Sequence, residues 1–203
     1  MPQPRSKPAP PSSIRPKYDE LGVTGFYAAS GATYRNPHEA IIQRLLTQVA
    51  LEWGCDLSNV LDLACGSGEV TLALRELGAK ISGIDPFTGA AYLERTGLTV
   101  EALSFDDICA GALEGRRYSL VTCSFALHLA DPSKLPVLAH QLARVSPALL
   151  ILTPHKRPAL KLEWGWEMVR ETMLERVRAR LYKSMVDVEW TGTLEAIIQL
   201  SAK

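Results

Sequence analysis

The residues of this chain able to do chemistry are two histidines, a short basic run and a set of acids near glycines. His128 lies in Ser124-Phe125-Ala126-Leu127-His128-Leu129 and His155 in Pro154-His155-Lys156-Arg157-Pro158, each just after an apolar run. An imidazole titrates near neutral pH, so either can take a proton from a reacting group. Lys156 and Arg157 can meet an anion; a solvated basic turn and buried packing histidines are the structural alternatives. The third feature is Val60-Leu61-Asp62-Leu63-Ala64-Cys65-Gly66-Ser67-Gly68-Glu69-Val70-Thr71. It reads as a buried strand, a tight turn and a helix opening at Glu69. Gly66 and Gly68 carry no Cβ, so the backbone can turn sharply and a ligand can come close. The helix start points unpaired N–H groups and positive dipole back at that turn. The combination describes a nucleotide-like site.

A dinucleotide fold wants a third glycine where this chain has Thr71, which disfavours a nicotinamide oxidoreductase. The stretch instead resembles the Asp/Glu-x-Gly-x-Gly-x-Gly signature of class I S-adenosylmethionine-dependent methyltransferases, with Asp62 as the acid and Ala64 in place of the first glycine. Lys80-Ile81-Ser82-Gly83-Ile84-Asp85 follows as a second apolar strand ending in an acid. Asp85 stands where a carboxylate holds two ribose hydroxyls. The resemblance implies a doubly wound, mostly parallel seven-stranded α/β sheet with helices on both faces and a C-terminal antiparallel hairpin. It implies S-adenosylmethionine as methyl donor, S-adenosylhomocysteine as product, and cofactor contacts from Asp62, Ala64, Cys65, Gly66, Gly68, Asp85 and Pro86. Asp106 or Asp107 would accept from the adenine amino group, though both also make a good helix cap. Ser124 and Phe125 would face the donor, and Tyr34, with Tyr27, resembles the tyrosine of a segment that folds over it. His128, before His155, is the candidate base.

Several elements must position these residues. Residues 1–17 hold six prolines and read as a disordered basic arm, since prolines break the amphipathic helix that a mitochondrial presequence needs. Residues 18–203 read as one domain, opened by a lid and helix over 18–51. Gly22, Gly25 and Gly31 supply hinges in the lid. Asn36, Pro37 and Glu39 predict a capped helix start, and Ile41, Ile42, Leu45, Leu46 and Val49 form its apolar face. A helix beginning at Asp85-Pro86 closes at Gly97, and residues 98–103 give a third strand. Residues 118–123 and 148–153 are the fourth and fifth strands. Between them Asp131-Pro132 opens a helix stopped by Ser146-Pro147. Leu162, Trp166, Val169, Met173 and Val177 predict a further helix by their spacing; residues 176–183 and 193–201 predict two final strands joined in a hairpin.

Composition narrows the function classes. Lys and Arg total 22, as do Asp and Glu, but the first 18 residues hold four basic side chains and no acid. The remaining 185 carry 18 basic against 22 acidic groups, a net of −4, which argues against a broad grip on DNA. The longest uncharged runs, residues 21–34 and 118–130, are too short to span a bilayer. Cys55, Cys65, Cys109 and Cys123 show no Cys-x-x-Cys spacing, so no metal cluster or disulfide framework is expected, and the cytosol is the default compartment. The Asn/Asp-Pro-Pro-Tyr/Phe motif with which related enzymes grip adenine or glutamine amides is missing after the fourth strand, which disfavours those substrates; the acceptor otherwise stays open among small molecule, protein and RNA. A cofactor-binding partner subunit without transferase activity is the alternative reading.

Overall fold

The strongly apolar runs become the middle of one sheet, where both faces are covered. The computed structural model describes residues 35–187, together with Gly25 and Gly31. Its strands are β1 (Val60–Leu63), β2 (Ile81–Ile84), β3 (Val100–Glu101), β4 (Leu120–Ser124), β5 (Ala148–Thr153), β6 (Trp166–Leu174) and β7 (Val177–Ser184). They lie in the order β3-β2-β1-β4-β5-β7-β6. The first five run parallel, and β7 is antiparallel to both β5 and β6. This is the expected seven-stranded α/β architecture. The order reverses between β1 and β4, the switch point at which such sheets bind ligands.

Helix α1 (Glu39–Glu52) and α2 (Glu69–Glu76) cover one face, burying Ile42, Leu45, Leu46, Val70 and Leu74 against Val60, Leu120, Leu150 and Leu152. The other face packs Leu61, Val121, Leu149 and Ile151 against α5 (Leu135–Ala143) and the short α4 (Phe105–Cys109). Alternation along each strand sends successive side chains to opposite cores. Helix α3 (Gly89–Thr96) ends at Gly97 with φ 71°, as its glycine predicts. It starts later than expected, because Asp85 bonds the Phe87 and Thr88 amides in a turn first.

Three expectations are corrected. The Asn36 side chain accepts from the His38 amide at 2.9 Å, while Glu39 reaches Arg95 instead of returning to the cap. The third strand shrinks to two residues. Most consequentially, the helix predicted through Leu162, Trp166, Val169, Met173 and Val177 does not form: Leu162 lies on a 3-10 turn, Trp166, Val169 and Met173 lie on strand β6, and Val177 opens β7. The helical spacing marks no single face, since Trp166 packs in one core, Val169 against the other, and Met173 is 56% exposed; a bulge lies between Met168 and Arg170. The antiparallel hairpin exists, but it joins β6 to β7 through Glu175 and Arg176, both at positive φ (46° and 73°). Hairpin turns of that kind favour Asn-Gly or Gly-Gly, so Glu-Arg gave no signal. The strand expected at 193–201 lies outside the described residues.

Candidate functional site

The site grows from the turn after β1. Ala64 (φ 54°), Gly66 (φ 57°) and Gly68 (φ 89°) all adopt left-handed backbone, which coils the chain between strand and helix. Ala64 therefore occupies the signature's first glycine position in a conformation that disfavours any Cβ. Gly68 is needed for a second reason: a Cβ there would lie 2.5 Å from Thr96 Cγ2, so the glycine lets α3 pack on the turn. Gly83 serves the same packing, since a Cβ would meet Cys65 Sγ and the Tyr92 ring at 2.8 Å.

Asp85 joins the two turns. Its Oδ2 accepts from the Gly66 amide at 3.2 Å and its Oδ1 from Phe87 and Thr88 at 2.8 and 3.0 Å. Asp62 is 1% exposed and accepts from Thr71 Oγ1 at 2.7 Å; that hydroxyl also meets the Tyr92 hydroxyl at 2.9 Å. Burial pushes the Asp62 carboxyl up to about 7, against the opposing pull of the Thr71 hydrogen bond. Glu69, buried at the start of α2, accepts from the Ser67 hydroxyl, the Asn36 amide and Arg95. Arg95 also pairs with Glu39, fastening α3 to the first turns of α1 and α2.

These groups border a cavity of about 370 Å³ at the carboxyl ends of β1 to β4. Of the predicted residues, Asp62, Ala64, Cys65, Gly66, Asp85 and Pro86 line it from β1 and β2. Asp106 and Ser124 line it from β3 and β4. The Ser124 hydroxyl is buried and has no partner among the described residues. Asp106 also pairs with Lys134 at 2.8 Å.

Gly68, Asp107 and Phe125 are absent from the lining. Asp107 forms a capping box with Ser104, the structural alternative to an adenine contact. Phe125 has φ 56° and stacks on His38, with centroids 5.1 Å apart. Tyr34 and Tyr27 lie outside the described residues, as does most of the predicted lid. Gly31, one of its hinges, rests on cavity-lining Phe87, where a Cβ would fall 2.5 Å from the carbonyl oxygen. Sequence reasoning missed Asn36, Glu69, Leu103 and Phe105, which also line the cavity. An acid in a first helical turn and apolar residues near a strand end are too common to signal a site.

The two histidines meet each other beside the cavity and do not line it. Their ring centroids are 4.4 Å apart and tilted by 55°. His128 follows Leu127 on a short 3-10 turn whose neighbours Ala126, Leu129 and Ala130 do form cavity wall. Its Nδ1 is buried without a partner among the described residues. Burial, then the charge of His155, pushes the His128 imidazole down to about 4.

Solved structures share this architecture. A magnesium protoporphyrin IX methyltransferase from Synechocystis PCC 6803, crystallised with S-adenosylmethionine, superposes with a TM-score of 0.57 at 15% identity, covering 88% of this chain and 99% of its own. An N-methyltransferase from Bradyrhizobium japonicum WM9, in complex with S-adenosylhomocysteine, gives a TM-score of 0.60 at 14% identity over 82% and 97%. An uncharacterized protein of Schizosaccharomyces pombe is 36% identical, with 86% of this chain and 93% of that protein covered. Residues 34–187 match the family described as a methyltransferase domain. The chain belongs to that methyltransferase family.

Proposed function

We propose that the chain binds S-adenosylmethionine in this cavity and moves its methyl group to an O, N, S or C nucleophile of a separate acceptor, releasing S-adenosylhomocysteine. The make-up of the cavity carries the reading. Five carboxyl side chains line it (Asp62, Glu69, Asp85, Asp106 and Asp131), and among the described residues no Lys or Arg does. Glu69 and Asp106 already pair with Arg95 and Lys134, whereas Asp85 and Asp131 have no ion pair among the described residues, so a space of nucleoside size beside them suits a ligand bearing sulfonium and ammonium charge. Asp85 uses three of the roughly four acceptor sites of a carboxylate on backbone amides, which leaves capacity for a ribose hydroxyl. The unpartnered Ser124 hydroxyl offers a further contact, and Leu103 and Phe105 offer apolar cover beside Asp106. All four cysteines are free thiols, which fits work in the reducing cytosol.

The donor supplies an activated methyl group, so the protein's task is alignment. The second task is to accept a proton where the acceptor must lose one. His128 fits it: an imidazole pushed down to about 4 is in its proton-accepting form throughout the neutral range. Its low basicity suits an acceptor that ionises readily. Calorimetric titration with S-adenosylhomocysteine, followed by labelled-methyl transfer into fractionated cell extract, tests the activity. A chain that binds the product but labels nothing in the extract would be a cofactor-binding subunit. With an acceptor in hand, His128→Ala should lower turnover while leaving product affinity within about twofold, because a base acts in the transition state. Unchanged turnover with chemistry rate-limiting would remove the base from the mechanism.

A further inference from the structure

The far side of the histidine pair is built from opposite charge. Arg178, Arg180 and Tyr182 alternate along β7 and so share one face of the sheet, with Thr153, Ile151 and Leu149 of β5 as their respective pairing partners. Arg180 is 6% exposed and fully employed: Nε donates to Glu171 at 2.5 Å, and Nη1 donates to the carbonyls of Lys156 and Pro158 at 3.0 and 3.4 Å. A buried cation thus shapes the loop that carries His155, whose amide also bonds the Thr153 hydroxyl at 3.1 Å. Arg178 commits only Nη1, to the same Glu171 at 3.1 Å. Lys156 and Arg157 are exposed and form no ion pair among the described residues. Arg178 and Arg180 thus share one carboxylate, and the exposed Lys156 and Arg157 belong to the loop that Arg180 holds, on a chain whose body is net acidic. Such a local reversal of sign is what draws and orients an anion.

We infer that the acceptor bears an oxyanion, a carboxylate or a phosphate, which Arg178, Lys156 and Arg157 hold while the reacting atom lies over the His128–His155 pair. The inference rests on the methyltransferase reading above and names its substrate class. Strand geometry sets the scale. Ser124 of β4 pairs with Leu152 of β5, and Leu152 with Ala179 of β7, next to Arg178. Two strand spacings separate the cavity wall from β7, roughly 10 Å. A long arginine side chain shortens that span, so anion and accepting atom belong to one small molecule or one short terminal group.

The chain has only four histidines, so the imidazole proton resonances of the full-length protein bound to S-adenosylhomocysteine can be followed individually. His155→Gln assigns the signal of interest. Inorganic phosphate and, separately, acetate are titrated against chloride at matched ionic strength. A saturable shift of the His155 signal is expected with one or both oxyanions and not with chloride. Phosphate alone would indicate a phosphorylated acceptor, acetate alone a carboxylate. Arg178→Gln and Lys156→Gln should each weaken the apparent affinity about twofold to fivefold, and the double variant about tenfold, as exposed charge pairs do. Lys80→Gln, at the opposite end of the sheet, should change nothing. Equal responses to chloride and oxyanion, or no loss in the double variant, would overturn the inference. Product affinity is measured on every variant by calorimetry. Failure of wild type to bind product would sink the methyltransferase reading instead, whereas product binding without an oxyanion response sinks this one alone.

Discussion

The two ends of the sheet's ligand edge are electrostatic opposites. The end built from β1 to β4 lines its cavity with five carboxyl groups and, among the described residues, no Lys or Arg; the end built from β5 and β7 pairs Arg178 and Arg180 with Glu171 beside the loop that carries Lys156 and Arg157. Their construction differs as well. The acidic end is made by backbone, with three left-handed residues in one turn and an aspartate bonded to three amides. The basic end is made by side chains standing in a row on a strand, with a buried guanidinium shaping the loop beside them. A site assembled from backbone is intolerant of single substitutions, whereas charge spread over several side chains is lost by degrees.

That contrast can be broken most severely at Gly68. Gly68→Val forces a branched side chain into left-handed backbone and against Thr96. Strain and overpacking of roughly 2–5 kcal/mol are expected, enough to unfold a marginal domain. Urea unfolding measures it, and a midpoint near wild type would show that α3 gives way cheaply. Asp85→Ala comes next. Losing a charge-assisted hydrogen bond should weaken S-adenosylhomocysteine roughly tenfold to a hundredfold in calorimetry, while Lys156→Gln at the basic end leaves product affinity unaltered. Equal effects of the two would erase the division.

Asp62 sharpens the comparison through pH. Its folded-state value of about 7 lies above the ordinary 3.8, so the native state keeps a proton that the unfolded chain releases between those values. The stability this group contributes is present below about pH 4 and lost as pH rises through 7. Asp62→Asn should remove that decline, seen as urea midpoints of wild type falling relative to the variant from pH 4 to 7.5. Parallel midpoints would mean that the carboxyl stays ionised in the fold. The smallest effect belongs to Ala64. Ala64→Gly relieves a left-handed alanine but loosens the unfolded chain, for a net gain of about 0–1 kcal/mol. A loss of stability would show that the Ala64 methyl group packs usefully on the core.

What was legible in the sequence follows the same division. The glycine turn, Asp85, the parallel strands and the closing Gly97 are local patterns, and each fixes its own conformation within a few residues. The His128–His155 pair was legible as two strand-end histidines on neighbouring strands, though their ring contact depends on Arg180 holding the loop. The β6–β7 hairpin was not legible, because Trp166, Val169 and Met173 fall at helical spacing although they face opposite cores and solvent, and its turn uses Glu175 and Arg176. Asn36 and Glu69 went unread as cavity residues because their partners are 33 positions apart in the chain.

The bulge in β6 bears on how copies of the protein meet in solution. A strand at the end of a sheet is a template on which a second chain can grow. Among the described residues β6 ends the sheet; it is nine residues long, with half-exposed Met168 and Met173 along it, long and apolar enough to invite such growth. The irregularity between Met168 and Arg170 interrupts the hydrogen-bonding ladder near its middle, and Glu167, Arg170 and Glu171 place charge on either side of the break. A neighbour trying to add a strand would find no straight run of more than a few residues to copy. The irregularity therefore discourages fibrous assembly at the concentrations of a crowded cell.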